Sequence, residues 1–209
     1  MTTESETERP SAYRCSTRSR ELAEPLAGTA STVRNWILFE QPGPWGYHAL
    51  SESRLDPDVA AHLRRLRWLG VRVLLIRRTD RPLLPDASQD RHVFLIHSGP
   101  GGPWIRHAVV DTLADLMAMD LEPLGSGERS IGKPWDGPLF VVCTNGRRDA
   151  CCAERGRPLA GRLTIEWPDR AWECTHIGGD RFAATLVAFP HGLYFGRMEP
   201  DHGAGIAEA

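Results

Sequence analysis

Short apolar runs separated by polar or Pro/Gly-rich segments set the pattern of the first part of the chain. These runs are rich in β-branched and aromatic residues, which favour a pleated strand. They occur at residues 36–40, 71–76 and 92–96. We therefore predict three buried strands in this part of the chain.

Two further segments carry apolar residues at helical spacing. In the first, Asp56 and Pro57 provide an N-cap and a first-turn proline, and Gly70 can take the left-handed conformation that ends a helix. In the second, apolar residues recur every three or four positions over residues 105–116. We predict a helix in each segment.

The second half of the chain begins with an apolar run at residues 139–142, a predicted strand that delivers Cys143 at its C-terminal end. A helix over 152–165, a strand at 172–176 and a hairpin over 184–198 are predicted to follow. This order of elements is close to a reduced thioredoxin-like order. The predicted fold class is α/β, with a thioredoxin-like C-terminal half and an N-terminal α/β half packed against it.

Composition along the chain predicts five parts. The first is polar, with little periodic hydrophobicity, and a Gly/Pro-rich stretch separates the two halves. The parts are a flexible N-terminal segment (1–32), the N-terminal α/β half (33–122), a linker (123–138), the thioredoxin-like half (139–200) and a flexible tail (201–209).

Charge and hydropathy exclude several function classes. The 209 residues carry a formal net charge of −2 and show no basic stripe with interleaved aromatic residues, so we expect no nucleic-acid partner. No apolar run approaches the roughly 20 residues that span a bilayer, so we expect no membrane partner. The N-terminus is acidic and polar, unlike a signal peptide, and we expect a cytoplasmic protein.

The cysteines are clustered. Four of the five, Cys143, Cys151, Cys152 and Cys174, lie within 32 positions, whereas Cys15 stands apart. In a reducing compartment such clustering indicates metal or redox chemistry. We expect Cys151 to be buried or a spare thiol. We expect Cys15 to be structural, and a redox role for Cys15 is the less favoured alternative.

Cysteine and histidine spacing points to a bulky inorganic group. Cys143 and Cys152 enclose a wide polar loop in a C-x8-C spacing, unlike the C-x2-C of a zinc knuckle. His176 and Asp180 lie four apart across two glycines, which allow the backbone to approach such a group closely. Thiolates and a neutral imidazole are established iron–sulfur ligands.

Sequence motifs add a resemblance to a known family. They include CTNGRRDACC (143–152), WECTHIGGDRFA (172–183) and PHGLYFGR (190–197), and earlier CS (15–16), EPLAGTA (24–30) and PGPWG (42–46). Together they resemble the sucrase/ferredoxin-like family over nearly the whole chain.

This resemblance implies a relative of thioredoxin-like ferredoxins, some of which hold a [2Fe–2S] cluster by C-x8-C plus H-x3-H. Cys143, Cys152 and His176 match that pattern, but the family's second histidine falls on Asp180. Asp180 is one candidate for the fourth ligand by register. Cys174 is the other, because a strand would place it on the same face as His176.

Three function classes remain open at this stage. The first is a [2Fe–2S] electron carrier, or the redox half of a reductase, with an unidentified redox partner protein. The second is a thiol-based oxidoreductase with Cys151 or Cys152 as nucleophile, although a C-x2-C motif is absent. The third is a structural zinc domain that uses Cys143, Cys152, Cys174 and His176. A glycosidase is disfavoured, since no pair of carboxylates stands out.

Overall fold

A computed structural model describes residues 13–79, 90–129 and 131–207. The first dozen residues, part of the predicted flexible N-terminal segment, lie outside the described range. The later part of that segment contains a short helix, and the predicted tail contains most of a 3-10 helix. A mixed α/β fold is confirmed.

Nine strands form one mixed sheet in the described structure. They are β1 (Asn35–Glu40), β2 (Val71–Arg77), β3 (Arg91–His97), β4 (Trp104–Val110), β5 (Lys133–Pro134), β6 (Leu139–Cys143), β7 (Ala171–Cys174), β8 (Leu186–Phe189) and β9 (Leu193–Phe195).

Five α-helices and four 3-10 helices accompany the sheet in the described ranges. The α-helices are α1 (Cys15–Glu21), α2 (Ala49–Glu52), α3 (Pro57–Arg65), α4 (Leu113–Ala118) and α5 (Ala150–Glu166). The 3-10 helices span Leu66–Leu69, Glu122–Ser126, Asp180–Phe182 and Pro200–Ala207.

The two halves of the chain repeat one strand arrangement. In the first half β1 and β2 are parallel and joined through α3, β3 is antiparallel to β1, and β4 is antiparallel to β3. In the second half β6 and β7 are parallel and joined through α5, β8 is antiparallel to β6, and β9 is antiparallel to β8. Antiparallel pairing of β2 with β7 joins the halves into the order β5-β4-β3-β1-β2-β7-β6-β8-β9.

Three apolar clusters form the core. One lies between the first half of the sheet and α3, and another lies between the second half and α5. The third combines residues of both halves, including Trp36 of β1 and Phe189 of β8, whose rings are 5.1 Å apart. Because β1 and β8 are not neighbours in the sheet, this contact shows that the two halves face each other across a shared core.

Most of the predicted elements are confirmed. The Asp56 side chain caps α3 by accepting from the backbone N–H groups of Asp58 (2.9 Å) and Val59 (3.3 Å). Gly70 ends the 3-10 extension of that helix with a φ of +73°. The predicted strands at 36–40, 71–76, 92–96 and 139–142 all form.

The helix predicted over 105–116 is wrong. Its first part is strand β4, and only the short helix α4 follows. Ile105, Val109 and Val110 are β-branched and pair with β3, so tertiary pairing overrides the four-residue spacing. The helix begins only after Thr112, whose side chain accepts from the Asp115 N–H in a capping box.

The strand predicted at 172–176 is shorter than expected. β7 ends at Cys174, and His176 lies in the following loop. Cys174 and His176 therefore do not share a strand, and strand alternation does not place them on one face. Separately, none of the helices in the described ranges has the length and apolarity needed to cross a membrane.

Candidate metal centre

Three separate segments deliver the first group of side chains. Cys143 is the last residue of β6, Cys152 lies in the first turn of α5, and His176 follows β7. The parallel pairing of β6 and β7 brings the C-terminal ends of both strands to one edge, opposite the N-terminus of α5. The structure thus brings together three of the residues predicted as ligands.

The donor atoms of this group are close enough to share one inorganic centre. The Nδ1 atom of His176 lies 3.9 Å from Cys143 Sγ and 3.8 Å from Cys152 Sγ, and all three donors lie within 4.8 Å of one another. Both thiols are fully buried, whereas the imidazole is partly exposed. The imidazole is therefore the part of the group nearest to solvent.

The two candidates for the fourth position are placed differently. Asp180 Oδ1 lies 3.9 Å from His176 Nε2, the ring nitrogen that does not face the thiols. Cys174 is fully buried at the end of β7, and its sulfur belongs to neither of the two potential metal-binding groups found among the described residues. Asp180 is thus adjacent to the group. Cys174 lies on the strand next to the one that ends in Cys143.

Two consecutive glycines shape the loop that carries His176 and Asp180. Gly178 and Gly179 have φ values of +92° and +70°, in the left-handed region that side chains rarely tolerate. Gly179 caps the 3-10 helix Asp180–Phe182. The turn places Asp180 beside the imidazole, with its Oδ1 atom 3.9 Å from His176 Nε2.

Hydrogen bonding polarises the two buried thiols in opposite directions. The pKa of Cys143 is lowered to about 5, chiefly because the Cys152 thiol donates to its sulfur, and contacts with His176 add to the effect despite burial. The pKa of Cys152 is raised, because it is the donor of this bond and is buried beside the Cys143 charge. These opposite shifts make Cys143 the more acidic thiol of the pair.

This polarisation predicts a pH-dependent stability in the metal-free, reduced protein. A thiol whose folded pKa lies below its unfolded value, near 9, stabilises the fold above that value and loses this contribution as pH falls toward about 5. We expect the unfolding free energy of wild type to rise relative to that of Cys143→Ser as the pH increases from 5 to 9. Urea unfolding with a chelator and a reductant measures the difference.

Cys174→Ser is the control for that experiment, because burial raises the pKa of the Cys174 thiol. Its stability difference from wild type should not change with pH over the same range. A Cys143→Ser difference that is equally flat would contradict the lowered pKa.

Polar groups next to Cys143 fit a group with acceptor atoms. Asn145 Nδ2 and Thr185 Oγ1 are buried and have no hydrogen-bond partner within the described part of the chain. Thr185 lies opposite Cys143, whose N–H donates to the Thr185 carbonyl at 3.0 Å. Buried donors without partners are costly, and thiolate or sulfide sulfur would satisfy them. The donor set, two thiols and an imidazole, is also chemically suited to iron–sulfur or zinc binding.

A second group, which the sequence interpretation did not foresee, lies close by. Cys15 Sγ, at the start of α1, is 3.5 Å from Cys151 Sγ, 3.4 Å from Asp149 Oδ2 and 3.9 Å from Asp180 Oδ2. Burial, followed by contact with Cys151 and Asp149, raises the pKa of Cys15. Cys15, expected to be structural, and Cys151, expected to be buried or a spare thiol, are thus gathered next to the first group.

Helix α1 is held in place mainly by polar side chains. Arg14 forms two hydrogen bonds of 2.6 and 2.7 Å to Glu154, and Arg155 donates to the buried Ser16 hydroxyl at 2.9 Å. Arg20 pairs with Glu199 at 2.7 Å. Polar contacts of this kind do not produce a periodic pattern of apolar residues in the sequence. The only sequence signal for Cys15 was therefore its place in the family motifs.

These observations define a mixed α/β protein with a buried thiol–imidazole centre at one edge of its sheet. The chain belongs to the sucrase/ferredoxin-like family, whose model matches residues 26–209. The resemblance predicted from the motifs is therefore confirmed.

Two curated proteins are similar to the chain. An acetyl-coenzyme A carboxylase carboxyl transferase subunits beta/alpha protein from Salinispora arenicola (strain CNS-205) is 29% identical over 168 residues, which cover 78% of this chain and 29% of that protein. The G2/M cell-cycle inhibitor DR6 of Human herpesvirus 6B (strain Z29) is 29% identical over 177 residues, which cover 82% of this chain and 40% of that protein.

The chain thus matches less than half the length of either relative. No solved structure matches it significantly.

Proposed function

We propose that this protein binds a [2Fe–2S] cluster through Cys143, Cys152 and His176 and transfers electrons to or from a redox partner protein. The observation that carries the proposal is the convergence of two thiols and one imidazole nitrogen, from three separate segments, within 4.8 Å. Family membership supports it, because the same three residues match the ligand pattern that the family resemblance implies.

The repeated strand order supports a thioredoxin-like fold for the C-terminal half. A parallel strand–helix–strand unit followed by two antiparallel strands is the order expected of a reduced thioredoxin-like unit. The N-terminal half repeats that order around β1 and β2. We propose two related units, of which the second carries the cluster ligands.

The cluster, when bound, supplies reversible one-electron transfer. The two buried thiolates hold it in the core, and burial with hydrogen bonding around the sulfurs tunes the potential. His176 lies at the partly exposed side of the group. A partner protein would therefore approach the side of His176.

The fourth ligand changes the charge of the centre. Asp180 is adjacent to His176, whereas Cys174 would need its sulfur to move toward the group. Either residue adds a negative charge where the family pattern has a neutral histidine. We expect a lower reduction potential than for a centre with two histidines.

A structural zinc site is the second candidate function. The compactness of the first group favours it, since a single tetrahedral ion needs ligand atoms about 3.6–3.8 Å apart when the metal–sulfur distance is about 2.3 Å. The sulfur-to-nitrogen distances of 3.8 and 3.9 Å are close to that requirement. Whether the site binds a [2Fe–2S] cluster or a zinc ion, we propose a cytoplasmic location, because reduced thiol ligands persist in reducing compartments.

Anaerobic purification with iron and sulfide analysis tests the proposal. We expect red-brown protein with equal iron and sulfide, and loss of both in Cys143→Ser and Cys152→Ser. Colourless protein that contains zinc after attempted reconstitution would contradict the electron-transfer function and support the structural one.

Comparison of Asp180→Ala with Cys174→Ser identifies the fourth ligand. Loss or a spectral shift in only one variant names that residue. Far-UV circular dichroism of both variants controls for folding.

A further inference from the structure

The second group of donors has the composition of a metal site. Two thiols and a carboxylate, from Cys15, Cys151 and Asp149, lie within 4.8 Å of one another. Thiolate together with carboxylate is a donor combination that zinc accepts. These residues are distinct from Cys143, Cys152 and His176.

The distances in this group match a tetrahedral ion. With metal–sulfur distances of about 2.3 Å and metal–oxygen distances of about 2.0–2.2 Å, two sulfurs lie about 3.8 Å apart, and a sulfur and an oxygen about 3.6 Å apart. The observed values are 3.5 Å between the sulfurs of Cys15 and Cys151, and 3.4 Å from Cys15 Sγ to Asp149 Oδ2. An ion would therefore need only small adjustments of these side chains.

The Asp149 carboxylate divides its two oxygens between two roles. Oδ1 accepts from the Cys151 N–H at 2.8 Å and caps helix α5. Oδ2 faces Cys15 at 3.4 Å. The cap fixes the orientation of the carboxylate and leaves the second oxygen for a ligand.

The surrounding charges favour a cation. Asp180 Oδ2 adds a further carboxylate 3.9 Å from Cys15. Among the nearby cationic side chains, Arg181 pairs with Glu24, and Arg14 pairs with Glu154 while also interacting electrostatically with Cys151 and Asp149. Two thiols and two carboxylates therefore meet in one place, and a divalent cation would displace the thiol protons and offset the negative charge of the carboxylates.

We propose that Cys15, Cys151 and Asp149 bind a single zinc-class divalent cation at a second site, separate from the cluster. Three protein ligands leave the fourth position open to water or to Asp180. Such an ion ties α1 to the start of α5, next to the first group. When thiols bind the ion, their protons are released to solvent, and no oxidation is involved.

Cobalt(II) titration of the metal-depleted, reduced full chain tests the second site. Co²⁺ bound by thiolates gives charge-transfer absorption, and Zn²⁺ should displace it. We expect Cys15→Ser and Cys151→Ser to lower the stoichiometry by one ion per chain. Asp149→Asn keeps an oxygen for the helix cap, so we expect it to weaken binding by roughly 10–100-fold, as loss of a metal-site partner does elsewhere, with little change in circular dichroism.

The controls separate this site from its surroundings. Gly161→Ala, at a position of α5 where an added Cβ atom meets nothing within 4 Å, should leave the stoichiometry unchanged. The double variant Cys143→Ser/Cys152→Ser should retain the ion that depends on Cys15. The proposal is overturned if Cys15→Ser binds as much Co²⁺ as wild type, or if mass spectrometry shows a Cys15–Cys151 disulfide in place of metal.

The Co²⁺ titration can be interpreted whether or not the protein binds a [2Fe–2S] cluster. Loss of iron and sulfide from the Cys15→Ser variant would also overturn the second site, because it would make Cys15 a cluster ligand. Retained iron together with the loss of one Co²⁺ supports both proposals. If wild type takes up no iron and sulfide, the Co²⁺ arm still decides the second site.

Discussion

Gly156→Ala should destabilise the protein and displace Cys143. Gly156 follows Cys152 by one helical turn on the buried face of α5. A Cβ atom at this position would lie 2.1 Å from the Cys143 carbonyl oxygen and 3.4 Å from the Thr144 side chain. Because the first contact is with backbone, either the helix or the end of β6 must move. Such overpacking costs about 1–3 kcal/mol, occasionally more.

Gly161→Ala in the same helix is the matched control. A Cβ atom there would meet nothing within 4 Å, so the substitution should stabilise the protein by about 0.5–1 kcal/mol through helix propensity. Chemical denaturation measures both variants, and metal content after reconstitution reports the position of Cys143. Equal stability of the two variants would show that α5 does not pack closely on β6.

The alternating and apolar segments made much of the sheet predictable. Both faces of β1, including Trp36 and Leu38, are buried, which is why its uninterrupted apolar run correctly predicted a buried strand. The cap of α3 and the end of its 3-10 extension were also predictable, because Asp56 and Gly70 act through local backbone geometry. Local signals of this kind do not depend on the rest of the fold.

Strand neighbours were not predictable in the same way. Side-chain pattern fixes which face of a strand is buried, but it does not fix which strand lies beside it. The pairing of β2 with β7 joins the two halves through only two register positions, Ile76 with Cys174 and Arg77 with Glu173. Neither strand contains a sequence motif that predicts the pairing of β2 with β7.

The candidate centre was predicted in part for a similar reason. Cys143, Cys152 and His176 lie at the ends of predicted elements, and the family pattern indicated that they would converge. Cys15 depends on α1, which is anchored by ion pairs such as that of Arg14 with Glu154, far away in sequence. Long-range polar contacts leave no periodic signal in the chain.

A buried ion pair at the junction of the two halves should be one of the strongest single determinants of stability. The Oε2 atom of Glu173 accepts from Arg77 at 2.5 and 2.8 Å and from the Thr144 hydroxyl at 2.7 Å. Arg77 also donates to the Gly43 carbonyl at 2.9 Å and stacks on the Trp45 ring at 4.2 Å. The pair therefore links β2, β7 and the residue that follows Cys143.

Glu173→Ala should lower the free energy of unfolding by about 3–5 kcal/mol, because it leaves the Arg77 guanidinium buried without its carboxylate. It should also lower metal retention, since Thr144 loses its acceptor next to Cys143. Asp169→Asn is the control: it weakens the pair of Arg78 with Asp169, whose carboxylate is exposed where that of Glu173 is buried, and asparagine tolerates the positive φ of this position. We expect that variant to change stability by less than about 1 kcal/mol.

The double variant Arg77→Met/Glu173→Leu distinguishes charge from packing. Replacing both charges with apolar side chains of similar volume removes the unpaired guanidinium, so much of the lost stability should return. Urea unfolding of the single and double variants measures this recovery. If the double variant is as unstable as Glu173→Ala, the lost hydrogen bonds to Thr144 and Gly43 stabilise the junction, and the buried charge does not account for the loss.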